Sequence, residues 1–373
     1  MSLSVVYTRA AIGVKAPLIS VEVHLSNGLP GLTLVGLPET TVKEARDRVR
    51  SAIINSGYAF PAKKITINLA PADLPKEGGR YDLPIAIALL AASEQLNTPG
   101  LSSCEFVGEL ALTGALRGVP GAISGALEAI RAGRQIIVAN ENASEVSLIA
   151  EKGCLVAGHL QEVCAWLEGR HELAEPQENE EVVADSPDDL SDIMGQEQGK
   201  RALEITAAGG HNLLLIGPPG TGKTMLASRL SGLLPPLNNH EALESAAIFS
   251  LVSSISLHKQ WRRRPFRSPH HSASLTAMVG EGSIPGPGEI SLAHNGILFL
   301  DELPEFERRV LDALREPIES GEIHLSRTRA KISYPAQFQL VAAMNPSPTG
   351  HYQGNHNRCT PEQTLRYLSK RSE

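Results

Sequence analysis

Three mainly apolar runs in the second half of the chain each end abruptly at polar or glycine-rich residues. They cover positions 213–216, 297–300 and 338–344. Short, continuous apolar runs are typical of strands that are buried on both faces, as in the centre of a parallel sheet. Ligands bind at the carboxyl ends of such strands. The pattern therefore predicts a parallel sheet with a site at that edge.

The first half of the chain mixes strand-like and helix-like apolar patterns. The segments predicted to be strands are 3–9, 19–25, 64–69 and 135–139, and those predicted to be helices are 40–55 and 81–93. This mixture predicts an α+β domain that is distinct from the parallel sheet of the second half.

An acidic segment separates the two halves. Residues 172–192 contain nine Asp or Glu, no Lys or Arg, and the prolines Pro176 and Pro187. A segment of this composition repels itself and buries little apolar area, so it predicts a solvated linker. A partner-binding acidic tail is the alternative. The predicted domains are therefore 1–170 and 191–373, joined by a linker at 171–190.

The strongest chemical motif follows the first apolar run. Residues 217–224 match G-x-x-x-x-G-K-[ST], with a strand before them and a helix-forming segment after them. Glycines let backbone N–H groups surround phosphate oxygens, a lysine reaches the β- and γ-phosphates, and a hydroxyl holds Mg²⁺. The motif predicts an ATP and Mg²⁺ site. Its residues are Gly217, Pro218, Pro219, Gly220, Thr221, Gly222, Lys223 and Thr224.

The other two apolar runs end in residues suited to hydrolysis. Asp301, together with Thr224, is the candidate ligand of Mg²⁺, and Glu302 is the candidate general base for the attacking water. Asn345 is the candidate for positioning water or contacting the γ-phosphate. The alternatives are a polar loop that begins at Asp301 and an ordinary Asn-Pro turn at Asn345.

Composition restricts the class of protein. The 373 residues carry a net charge of −7, so a nucleic-acid site must be a local patch. The sequence has no apolar run of membrane-spanning length and no signal peptide, and its four cysteines are widely spaced without a CxxC pair. These features predict a cytoplasmic protein without membrane contact. The trio His351, His356 and Cys359 is more typical of hydrogen-bonding residues than of a zinc site.

The three strand-end motifs resemble those of AAA+ ATPases. The segments 264–274 and 285–296 resemble the magnesium-chelatase ATPase subunit, and the whole chain is similar to the ComM/YifB family. The resemblance implies an α/β P-loop NTPase domain with a parallel central sheet, and a homo-oligomeric, hexameric ring that branch-migrates DNA during natural transformation. It also implies that Ile193 and Gly195 line the adenine.

The first half resembles the domain shared by ribosomal protein S5 and the Lon protease. The motifs 74–78 and 107–114 carry this likeness. Lon-type peptidases use a serine that a lysine activates. This chain has Arg80 and its neighbours near the place of that serine, and Ser124 at the place of the lysine. An ATP-dependent peptidase is therefore disfavoured, and a role in oligomerisation or nucleic-acid contact is expected.

Two function classes stay open from the sequence. One is a motor acting on branched or single-stranded DNA, and the other is a chelatase-like ATPase that remodels a protein partner. The segment 258–267 offers five cations and two aromatics for nucleic acid, although these arginines also suit a nucleotide or subunit contact. A predicted hairpin at 322–332 places Arg327, Arg329 and Lys331 near its tip.

The chain ends at residue 373 with Ser-Lys-Arg-Ser-Glu. Family members continue into a helical lid and supply an arginine to a neighbouring subunit's γ-phosphate. This comparison predicts that the present sequence keeps nucleotide affinity but hydrolyses ATP and assembles poorly.

Overall fold

The structure is a computed structural model that describes residues 2–36, 40–96, 100–177, 189–252, 257–280, 286–326, 331–348 and 359–369. The described chain forms two compact units. The first contains residues 2–177 together with 250–252, 257 and 258, and the second contains the other described residues after 188. In the described part of the chain, no helix is long and apolar enough to cross a membrane.

The elements before residue 178 belong to the first unit. Its strands are β1 (Ser2–Arg9), β2 (Leu18–Ser26), β3 (Gly31–Val35), β4 (Lys64–Ala70), β5 (Cys104–Phe106), β6 (Glu109–Leu110), β7 (Leu116–Arg117), β8 (Gln135–Ala139) and β9 (Cys154–Ala157). Its helices are α1 (Thr40–Asn55), α2 (Asp82–Ala92), α3 (Ala122–Arg131), α4 (Ala143–Val146) and α5 (Leu160–Leu167). The strands and helices predicted from the apolar segments are confirmed as β1, β2, β4, β8, α1 and α2.

A seven-stranded mixed sheet organises this unit, in the order β3-β4-β2-β1-β5-β8-β9. β2 lies antiparallel to both β1 and β4, and the other neighbouring pairs are parallel. Helix α2 contacts β1 and β2, and its side chains from Asp82 to Leu90 are buried. A helix that is apolar on all faces has to be covered on all faces, which explains why α2 lies inside the unit.

The places where Lon-type peptidases carry catalytic groups are occupied by buried side chains. The Arg80 guanidinium donates to the carbonyl oxygens of Arg9 and Pro120. The buried Ser124 hydroxyl has no hydrogen-bond partner in the described chain. A serine nucleophile needs an adjacent base for activation. Arg80 is therefore held by main-chain contacts, and the described chain places no base within hydrogen-bond distance of the Ser124 hydroxyl.

A buried ion pair fixes the start of α2. The Asp82 carboxylate accepts hydrogen bonds from Arg48 at 2.8 and 3.1 Å and from the Leu110 N–H group at 3.3 Å. Burial raises the pKa of Asp82 to about 6, and the neighbouring Arg48 acts against that rise. The ion pair ties α1 to α2, so these two helices keep a fixed relation within the first unit.

The remaining elements follow residue 188. The strands are β10 (Leu213–Ile216), β11 (Phe266–Arg267), β12 (Gly296–Leu300), β13 (Glu322–Ser326), β14 (Lys331–Pro335) and β15 (Phe338–Met344). The helices are α6 (Glu197–Gly209), α7 (Lys223–Leu233), α8 (Asn239–Phe249), α9 (Leu257–Gln260), α10 (Leu275–Val279), α11 (Glu289–Leu292), α12 (Arg308–Asp312), α13 (Arg315–Ser320) and α14 (Pro361–Ser369).

The second unit is built on a parallel sheet in the order β10-β15-β12-β11. Every side chain from Ile297 to Leu300 in β12 is fully buried. Gly296 allows β12 to start against the chain before β11, since a Cβ there would lie 2.1 Å from the Pro265 carbonyl oxygen. The α+β first unit and the parallel sheet of the second unit confirm the predicted fold class.

The predicted linker is described only at its two ends. Ala174 forms an isolated bridge with Val156 of β9, and its carbonyl accepts a 2.9 Å hydrogen bond from the Val156 N–H group. Residues 178–188 lie outside the described residues. The first part of the acidic segment thus continues the sheet of the first unit at its β9 edge.

Candidate functional site

Three parallel strands end side by side at one edge of the sheet in the second unit. β15 lies between β10 and β12, and all three run in the same direction. The Gly217 N–H group donates to the Met344 carbonyl at 3.3 Å, which holds the start of the loop after β10 against the end of β15. The predicted site residues that follow these strands are therefore neighbours in space.

The loop between β10 and α7 has the backbone shape that its glycines allow. Gly220 and Gly222 have φ angles of 75° and 81°, a region where other residues are strained. The Thr221 hydroxyl donates to the Pro218 carbonyl at 2.9 Å and braces the turn. Gly222 provides no side-chain cap for α7. The first-turn N–H groups of this helix therefore suit an anionic ligand such as phosphate.

Lys223 is held at the centre of the site. Its ammonium group donates to the carbonyl oxygens of Gly217 at 2.7 Å and Pro218 at 3.0 Å, and to Asn345 Oδ1 at 3.1 Å. Burial lowers the pKa of Lys223, while the carboxylates of Asp301 and Glu302 act to raise it. The contact with Asn345 joins two predicted site residues from different strands.

Thr224 and Asp301 form a second contact across the site. The Thr224 hydroxyl donates to Asp301 Oδ2 at 2.7 Å, and the Glu302 N–H group donates to Asp301 Oδ1 at 2.9 Å. Hydroxyl and carboxylate oxygens are the hard ligands that Mg²⁺ prefers, and Mg²⁺ usually takes its other ligands from water and phosphate. The chemistry of this pair fits the predicted metal. Within the described chain, no group of three or more His, Cys, Asp or Glu is placed to hold a metal ion.

Glu302 contacts a residue for which the sequence had suggested no role. Its Oε2 atom lies 3.0 Å from Nδ1 of His271. Glu302 has a φ angle of 54°, an uncommon value for a residue with a side chain. His271 follows β11, which lies beside β12. Glu302 and His271 are close because β11 and β12 are neighbours in the sheet. The sequence does not reveal this strand order.

Asn345 is contacted from two directions. Its side-chain oxygen accepts the bond from Lys223, and its backbone acts to lower the pKa of the nearby phenol of Tyr367 in α14. Tyr367 is buried, and burial raises the pKa of its phenol. No pattern in the sequence indicated that Tyr367 belongs near the site. Its helix thus places a buried aromatic side chain near Asn345.

The segment predicted to line the adenine lies next to the phosphate loop. Ile193 is buried in a core with Leu203 and Leu226, whereas Met194 is exposed. Gln196 Nε2 donates to the Thr221 carbonyl at 3.2 Å. This contact places the turn at Ile193 and Gly195 beside the loop, and their role toward adenine stays a prediction.

Two arginines of the predicted nucleic-acid segment 258–267 are bound within the second unit. The Arg267 guanidinium donates two hydrogen bonds to the Glu289 carboxylate, at 2.6 and 2.7 Å, in a bidentate ion pair. Arg264 donates to the carbonyl oxygens of Pro235 and Asn295 at 2.7 and 2.9 Å. These contacts favour a structural role for both side chains, one of the alternatives that the sequence left open.

Two other predicted features lie partly outside the described residues. The hairpin is present as the antiparallel pair β13 and β14, with Ser326 opposite Lys331. Arg327 and Arg329 at its tip lie outside the described residues. His351 and His356 also lie outside the described residues. With Cys359, they were predicted to be hydrogen-bonding residues and not zinc ligands.

Comparison with known proteins agrees with this architecture. The family model described as magnesium chelatase, subunit ChlI, matches residues 189–373, and a second, subunit ChlI of Mg-chelatase, matches 21–142. The chain is 80% identical to YifB of Escherichia coli and 79% identical to YifB of Salmonella typhimurium, each over 372 residues that cover 100% of this chain and 74% of the relative. The competence protein ComM of Haemophilus influenzae is 61% identical over 377 residues, which again cover 100% and 74%. The chain therefore belongs to the ComM/YifB family of magnesium-chelatase-like AAA+ proteins.

Proposed function

We propose that the chain binds and hydrolyses ATP with Mg²⁺, and that the full-length protein uses the reaction to act on branched or single-stranded DNA as a homo-oligomeric, hexameric ring. The ATPase part rests on one observation. Lys223 and Thr224, the first two residues of α7, make hydrogen bonds of 3.1 and 2.7 Å to Asn345 and Asp301, which follow two strands of the sheet. Residues far apart in sequence thus converge on the N-terminus of α7.

Each of these residues would have a distinct task in hydrolysis. The first turn of α7 and Lys223 would hold the phosphates, and Thr224 and Asp301 would hold Mg²⁺, which neutralises phosphate charge. Glu302 would accept a proton from water as the water oxygen bonds to the γ-phosphorus and the bridging oxygen leaves with ADP. Asn345 would orient that water or a γ-phosphate oxygen.

The DNA part of the proposal is supported by the family. ComM, which is 61% identical to this chain, is named as a competence protein. Competence requires the handling of incoming DNA, so a DNA-dependent motor is the activity that suits the name. A chelatase-like ATPase that remodels a protein is the other outcome, since both family models describe a chelatase subunit.

The test is ATP turnover by the full chain with and without a forked DNA. We expect magnesium-dependent turnover that rises on addition of the fork. Turnover that is insensitive to forked, single-stranded and duplex DNA would rule out the DNA motor and leave the protein-remodelling class. Absence of both nucleotide binding and turnover would rule out the ATPase itself.

His271 should act as a positioning residue for Glu302. We expect His271→Ala to lower kcat about tenfold with KM for ATP unchanged, because the loss of this contact lets the carboxylate move from the water. His271→Asn keeps a donor and should recover part of the rate. The matched control is His240→Asn, which should keep the parent kcat, since His240 is exposed on α8 and lies 3.6 Å from Glu244, which is not a predicted site residue. An unchanged kcat in His271→Ala would contradict the role.

A further inference from the structure

The first unit contains a cationic cavity that no part of the ATPase site uses. It has a volume of about 160 Å³ and lies between α1, β3 and the segment before β4. Arg46, Arg50 and Lys63 line it, together with an apolar floor that includes Phe60 and Ile65. None of the residues that line it, all of which are described, is acidic.

The two arginines of this cavity are arranged in a way that folding alone does not favour. Arg46 and Arg50 are both exposed and lie four residues apart on α1, so they share one face of the helix. Like charges at this spacing destabilise a helix. In the described chain neither arginine, nor Lys63, forms an ion pair with a carboxylate. By contrast, Arg48 of the same helix is bound to Asp82.

The aromatic ring of Phe60 contacts one of these cations. The Arg50 guanidinium carbon lies 5.4 Å from the centre of the Phe60 ring, which makes a cation–π contact. The contact holds a planar cation over an apolar ring at the wall of the cavity. Guanidinium planes and aromatic rings are the surfaces on which unpaired bases stack.

We propose that this cavity binds single-stranded nucleic acid, with backbone phosphates at Arg46, Arg50 and Lys63 and a base against the Arg50–Phe60 stack. Three cations in a cavity lining that contains no acidic residue complement a chain of phosphates, and the apolar floor complements a base. The bases of a duplex are already stacked and cannot reach such a floor. The inference deepens the proposed DNA function and rests on it for the choice of nucleic acid over another polyanion.

The test measures binding of a labelled oligothymidine by the full chain, without ATP, over a range of salt concentrations. The combined change Arg46→Gln, Arg50→Gln and Lys63→Gln should weaken binding on the order of 30-fold. It should also reduce the slope of log K against log salt by about 2, since each lost phosphate contact contributes about 0.7 for a single strand. Phe60→Leu should weaken binding on the order of tenfold and leave the slope unchanged.

The matched control removes exposed cations elsewhere on the first unit. Arg117→Gln with Arg131→Gln and Lys152→Gln changes the net charge by the same amount, and Arg117 and Arg131 are paired with Glu109 and Glu128. We expect it to bind oligothymidine like the parent chain. Circular dichroism melting curves verify that every variant is folded.

Several results would overturn the inference. They are no binding of oligothymidine by the parent chain, equal weakening in the control, unchanged binding in the cavity variant, equal affinity for a duplex, and competition by poly-glutamate of equal charge. Failure of the proposed function is separate. If the chain hydrolyses no ATP, the cavity variant can still bind oligothymidine more weakly than the parent. If the chain is a DNA-stimulated ATPase, the cavity variant can still bind oligothymidine as the parent does.

Discussion

Lys223→Ala should reduce the affinity of the chain for ATP on the order of a hundredfold and abolish measurable turnover. The side chain now makes three hydrogen bonds from one ammonium group, to two loop carbonyls and to Asn345. We propose that phosphate oxygens take over those donors, and hydrogen bonds between charged groups contribute about 1.5–3 kcal/mol each. The measurement is equilibrium titration with a fluorescent ATP analogue.

A matched control separates this effect from a general loss of positive charge. Arg201 is an exposed cation of α6 that pairs with Glu204. Arg201→Ala should bind the analogue like the parent chain. Equal affinities in Lys223→Ala and the parent would show that the loop after β10 does not hold the phosphates, and the ATPase proposal would then fail.

Glu302→Gln should lower kcat by about 10²–10⁴-fold while ATP binding is retained. Glutamine has the shape of the glutamate and can keep the contact with His271, but it cannot accept the proton of the attacking water. The carboxylate oxygen 3.0 Å from His271 Nδ1 is the basic atom in question. Single-turnover hydrolysis of radiolabelled ATP, together with the binding titration, measures the two effects independently.

The control for this change is a carboxylate on the same stretch that contacts no site residue. Glu307 is exposed and its side chain makes no capping hydrogen bond to α12. Glu307→Gln should leave both kcat and affinity unaltered. A Glu302→Gln variant with the kcat of the parent chain would remove Glu302 as the base and would direct attention to another acceptor near Asp301.

The strand-end residues could be predicted because their signals are local. The apolar run before Gly217 and the one before Asp301 are parallel strands of one sheet, and such strands share one carboxyl edge. Only β12 is fully buried, since Leu214 and Ile216 of β10 are exposed. The pairing of Glu302 with His271 could not be predicted in this way. It depends on β11 lying next to β12, and the order of strands in a sheet is a property of the whole fold.

Charge patterns were less informative than apolar patterns. The run around Arg264 and Arg267 suggested a nucleic-acid surface, but both side chains have partners within the second unit. Conversely, the sequence indicates no role for Arg46 and Arg50, because a mixed-charge helix face is ordinary. Only the folded chain shows that Lys63, from a different segment, joins them at one cavity. The role of a charged side chain depends on which residues surround it in the folded chain.

The contact between Lys223 and Asn345 orients the side-chain amide at the end of β15. An ammonium group only donates, so it holds the oxygen end of the amide and leaves the NH₂ end as the part that can turn to an anion. An aspartate here would grip the lysine more strongly, yet it would present negative charge to a phosphate. The amide oxygen can accept from the lysine while the NH₂ group donates to a phosphate oxygen. This explains why a neutral side chain suits the position better than a carboxylate.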